Sequence, residues 1–187
     1  MRRIVCAPLV LLWMSVVAAC GSAVSPSGAS TSATATTPPG LIASLPRPCS
    51  FLSQPTAAGI SGDAKVSNQA NDVMEEYGYI ACIFADTADE ANTVAVQIKR
   101  VAGGVDASDL RDAATFFSRG EEVQPYQPFS APGIGDDALG ETTMGVAFVV
   151  FSRGDLLVYV GGNSAVVSAN SLLRGVIVLA GHVAAAL

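Results

Sequence analysis

The chain has 187 residues, half of them apolar and 14% charged, a balance that excludes global disorder and supplies enough apolar surface for a packed core. Sixteen acidic against ten basic side chains leave a net charge of -6. That excludes nucleic-acid binding and electrostatic adsorption to anionic lipid as the chain's business.

Arg2 and Arg3 precede an apolar run over residues 4–17, interrupted by Pro8 and Ser15. A positive start, a short apolar stretch and small residues after it form the pattern of a secretory signal. The uncharged run closes at Cys20-Gly21-Ser22, slightly short of the roughly 20 residues that span a bilayer. Val17-Ala18-Ala19-Cys20-Gly21 resembles the lipobox of bacterial lipoproteins: Ala18 and Ala19 suit a peptidase pocket, and the Cys20 thiol carries diacylglycerol before cleavage. Residues 1–19 are then a lipoprotein signal peptide. Cys20 becomes the first mature residue, lipid-anchored on the outer face of the cell membrane. Loss of Arg2 and Arg3 leaves 16 acidic against 8 basic residues, a charge of -8. Attachment therefore rests on acyl chains, of which two hold stably where one holds weakly.

Residues 21–45 carry Ser, Thr, Ala, Pro and Gly, with no charge and almost no large apolar side chain before Leu41. Such a stretch buries too little to offset the entropy of ordering it. Residues 20–45 are expected as a flexible tether; about 25 residues reach roughly 25 to 30 Å. The Ser/Thr/Pro content permits O-glycosylation. One globular domain, residues 46–187, follows. Cys6 leaves with the signal and Cys20 is acylated, so Cys49 and Cys82 remain and are expected to pair in an oxidising compartment. Neither Cys-x-x-Cys spacing nor nearby histidines favour a redox or metal pair.

Within the domain, residues 50–58 read as a helix start, with Ser53 or Gln54 as cap, Pro55 in the first turn, and Gly59 and Gly62 ending it. Residues 63–76 are polar and read as loop with a weak strand near 65–67. Residues 77–85, carrying Cys82, and 93–99 read as a hairpin of two strands. In the second, Val94, Val96 and Ile98 alternate with Thr93, Ala95, Gln97 and Lys99. Asp106 and Asp109 cap an amphipathic helix over 107–118, whose Leu110, Ala113, Ala114 and Phe117 share a face. Residues 121–132 hold three prolines and read as irregular. Gly133, Gly135 and Asp136 form a tight turn feeding a short strand near Ala138. Residues 146–152 and 156–160 form a hairpin across Arg153-Gly154-Asp155. A last helix starts near Ser168 or Asn170 and runs to Leu187. Arg174, His182 and its short apolar length make it a core helix rather than a membrane span. The expected fold is α+β: an antiparallel sheet with helices on one face or at its ends, and one disulfide.

Chemistry-bearing constellations are scarce. His182 is the only histidine, lies on an apolar helix and has no nucleophile motif beside it. Gly133-x-Gly135 lacks the third glycine and the following helix of a dinucleotide site. Adjacent Asp136 and Asp137 point to opposite faces of a strand. The clusters Asp72-Glu75-Glu76 and Asp86-Asp89-Glu90 lack the ligand spacing of a calcium loop. The reading is a non-enzyme with no metal and no cofactor. Phe116, Phe117, Tyr126 and Phe129 are the candidates for lining a concave ligand pocket.

The lipobox, the tether, the opening Pro46-Arg47-Pro48-Cys49-Ser50-Phe51-Leu52, Cys82 in a strand, Gly133-Ile134-Gly135-Asp136-Asp137-Ala138 and the Arg153-Gly154-Asp155 hairpin together resemble small actinobacterial, especially mycobacterial, lipoproteins of unknown function. They are more distantly similar to the extracellular sensor domain of PknH-type receptor kinases. The chain departs from the commoner pattern at Phe84, where Trp is usual, and at Gln54-Pro55, which replaces Thr-Pro. The resemblance implies a paired Cys49 and Cys82 and a non-catalytic binding or accessory module of the cell envelope, taking an apolar ligand or a protein partner. The alternative is an envelope hydrolase acting on lipid or cell wall, which requires His182 within reach of a hydroxyl and a carboxylate.

Overall fold

The computed structural model describes residues 45–74, 77–88, 91–118 and 127–187. The signal, Cys20 and nearly all of the tether lie outside the described residues, as do Tyr126, Glu75, Glu76, Asp89 and Glu90. After a 3₁₀ turn at Pro48–Ser50 come helix α1 (Gln54–Ser61) and strands β1 (Ser67–Met74), β2 (Ile80–Ala85) and β3 (Thr93–Arg100). Helix α2 (Ala107–Ser118), strands β4 (Gln127–Phe129), β5 (Asp137–Thr143), β6 (Val146–Arg153) and β7 (Leu156–Asn163), and helix α3 (Ala169–Ala186) complete the order.

Each helix starts where its sequence supplies an acceptor for orphan N–H groups. Ser53 Oγ accepts from Thr56 N, and Ser168 Oγ accepts from Ser171 N. Asp106 Oδ1 accepts from Asp109 N at 3.0 Å while Asp109 Oδ2 accepts from Asp106 N at 2.9 Å, a reciprocal capping box. Gly62, at φ +73°, ends α1; Gly59 lies inside the helix and does not end it.

The seven strands form one antiparallel sheet in the order β1-β2-β3-β7-β6-β5-β4. The fold is α+β, with an antiparallel sheet, packed helices and one disulfide. Alternation along β6 and β7 divides two cores between the faces. On the first face Val149, Phe151, Val158 and Val160 meet Leu172 and Val176 of α3 and Ala57 and Ile60 of α1. On the second, Phe148, Val150 and Leu157 meet Leu110, Ala113 and Ala114 of α2. The central strands β6 and β7 are buried on both sides, so they read as continuous apolar runs.

Three stretches depart from expectation. Residues 67–74, read as mostly loop, form the edge strand β1; it is polar because one side meets solvent, and two register shifts and Asp72 at φ +53° bend it. Gln127–Phe129, inside a segment read as irregular, pairs with β5 at the other edge, where Pro128 is tolerated. Strand β5 runs seven residues, with Gly140 in mid-strand because the Phe129 ring fills the space a Cβ would take.

Candidate functional site

The disulfide and the glycine turn are structural fasteners. Cys49 and Cys82 are bonded, with Cα atoms 5.0 Å apart, joining the 3₁₀ turn to β2. Closing a loop between residues 33 positions apart contributes about 3 to 4 kcal/mol in the chain-entropy account. Edge strand β1 packs on the bridge: the Asp72 carboxylate accepts from Cys49 N–H at 2.9 Å, and the Asn68 amide donates toward both sulfurs at 3.6 and 3.7 Å. At the turn, Gly133 and Gly135 have φ of +79° and +65°. Asp136 accepts from Gly154 N–H at 2.7 Å and from Arg153 Nη1 at 3.1 Å. The Gly154 hydrogen bond, aided by Arg153, outweighs lost hydration and holds the Asp136 carboxyl below the usual carboxylate range.

The four aromatic candidates do not form one pocket. Phe116 and Phe117 belong to α2 over the second face, whereas Phe129 packs on the first-face core over Gly140. Phe117 stacks on Tyr159 with centroids 3.8 Å apart, and Phe116 lies edge-on to Phe117 at 5.0 Å and to Tyr77 at 4.7 Å.

Phe117 and Tyr159 wall a trough that the sequence reading had not placed. Helix α2 packs on β5 and β6, and the trough opens on the β2-β3-β7 side of the same face. Its floor is a cross-strand row, Ile83 to Ala95 to Gly161, that continues into Phe148. One flank is the row of Gln97 and Tyr159, and the other is Thr93, Asn163 and Val146. Ala95 and Gly161 keep the floor low: Ala95 is only 6% exposed, and a Cβ on Gly161 would collide with the Tyr159 hydroxyl that lies over it. The trough holds about 260 Å³. Among the described residues, no Asp, Glu, Lys, Arg or His lines it. In the register, Glu141 pairs with Phe148 one strand beyond Gly161, and burial raises its carboxyl pKa. Lys99, in the same face of β3, lies 4.8 Å over the Tyr79 ring.

The signal for this site was present in β3, whose Thr93, Ala95 and Gln97 alternate with the core valines. What it lacked was a partner. Only the pairing of β3 with β7 brings Tyr159 and Gly161 alongside. A second concavity, about 450 Å³, lies between α1 and α3 and is lined by residues including Thr56, Ile60, Arg174, Val178 and His182. His182 is exposed there, and among the described residues neither a serine nor a carboxylate lines this groove.

The fold and site define an α+β domain: a seven-stranded antiparallel sheet with helices on both faces and an aromatic-walled trough beside α2. No family model and no curated protein matches the chain. A GTP binding regulator from Thermotoga maritima has a solved structure similar over 70% of this chain and 88% of that one, at 13% identity and a TM-score of 0.32.

Proposed function

We propose that the protein is a lipid-anchored, extracytoplasmic binding module of the cell envelope, held by Cys20 and binding through the trough beside α2. The observation that carries the binding role is the trough's make-up. Phe117 and Tyr159 supply apolar surface, while Gln97 and Thr93 supply a few convergent polar groups, the combination by which small-molecule sites are built. The groove between α1 and α3 is larger, but its described lining residues do not combine aromatic and amide groups in that way. The Cys49–Cys82 bond fits an exported chain, since disulfides persist in oxidising compartments. The lipobox residues and the uncharged stretch after Cys20 support the anchor. The anchor is tested by fractionation: Cys20→Ala should move the protein from the membrane to the soluble fraction, and retention in the membrane would refute lipidation.

A further inference from the structure

The geometry points to a specific ligand class for the trough: an uncharged pyranoside ring, a neutral sugar unit. The inference rests on the trough being the binding face and goes beyond it by naming the ligand's chemistry. Size sets the first bound. About 260 Å³ falls below the roughly 300 to 1,000 Å³ of clefts that hold drug-sized ligands, so the trough admits one ring-sized unit.

Charge sets the second. An ion entering the trough gives up hydration and meets no opposite charge among the described lining residues. The chain is acidic overall at -6, yet among the described residues no carboxylate lines this floor. A neutral ligand is selected.

Polarity sets the third. A purely apolar ligand would cover the Gln97 carboxamide, half-buried in β3, and leave its donor and acceptor desolvated without a partner. A purely polar ligand would waste the Phe117 and Tyr159 rings. A pyranoside satisfies both demands. Its C–H face lies on the apolar surface, and neighbouring hydroxyls meet the amide, which offers a donor and an acceptor side by side.

The experiment is ligand-observed saturation-transfer NMR on the full chain, held in micelles of a detergent without a sugar headgroup. The probes are the methyl glycosides of glucose, galactose and mannose, with methyl glucuronide as charged counterpart and cyclohexanol as apolar counterpart. At least one neutral glycoside should bind with a Kd on the order of 1 mM, with transfer concentrated on one ring face and methyl glucuronide much weaker. Gln97→Leu should weaken binding about fivefold to tenfold, with the near-ultraviolet circular dichroism of the native fold retained. Val178→Ala, in the groove between α1 and α3, should leave binding unchanged. If cyclohexanol binds, is lost in Phe117→Leu, and no glycoside binds, the sugar assignment is overturned while the trough stands as a binding face. If the folded protein binds no probe at all, both are overturned. Equal binding of methyl glucuronide, or indifference to Gln97→Leu, also overturns the assignment.

Discussion

The Asp136 carboxylate receives the Gly154 backbone N–H at 2.7 Å, so a side chain at the end of a glycine turn holds the tip of the β6–β7 hairpin. Arg153 of the same tip adds its guanidinium at 3.1 Å, and Asp136 N–H donates to Ser152 O at 2.9 Å. Three contacts from one residue fix the hairpin whose strands form the centre of the sheet.

Asp136→Asn should therefore lower the melting temperature at neutral pH, and the loss should depend on acidity. The folded-state pKa of Asp136 is depressed below the ordinary 3.8. Its stabilising contribution is fully present above that value and disappears as pH falls through the lower folded pKa. Thermal unfolding of wild type and variant from pH 7 into acid checks this, with the two curves converging at the acid end.

Gly135 and Gly133 separate strain from crowding. Both sit at positive φ, but a Cβ on Gly133 meets open space, whereas one on Gly135 would collide with Ser152 O and sit 2.7 Å from Phe151 Cδ2. Gly133→Ala should cost about 1 to 2 kcal/mol and Gly135→Ala roughly 2 to 5 kcal/mol. Denaturant unfolding measures both, and equal losses would show that crowding plays no part.

Tyr79 gives an alkaline counterpart. It is 3% exposed between α2 and the sheet, and burial, with the charge of Asp109 adding to it, pushes its pKa from 10.0 to about 12. A raised folded pKa means that the contribution is fully present below pH 10 and is lost as pH rises through about 12. Ultraviolet titration of phenolate should show a late-ionising component in the wild type that is lost in Tyr79→Phe.

Much of the frame is legible without the structure, because it rests on local rules. Asp106 and Asp109 announce α2, Ser168 announces α3, and the β3 alternation separates Val94, Val96 and Ile98 from Thr93, Ala95 and Gln97. Edge strand β1 is hidden because its support is remote: Asp72 reaches Cys49, 23 residues away, and Asn68 reaches the disulfide. Strand β4 is hidden by Pro128 and by its length of three residues. The site is hidden for a related reason. Phe117, Gln97, Tyr159 and Gly161 come from three elements whose adjacency follows from the β3–β7 pairing, a relation between strands some sixty residues apart. Aromatic character alone grouped Phe129 with Phe117, and the sheet separates them by running between the two faces.

The trough beside α2 is the proposed meeting point of this protein with its ligand. This is checked by placing a benzoylphenylalanine photo-cross-linker at Val146 on the trough flank, and separately at Val178, 72% exposed on α3, and irradiating the full chain in its native envelope. A defined adduct is expected from position 146, reduced by Phe117→Leu, and none from position 178. Adducts from 178 with none from 146 would contradict binding at the trough.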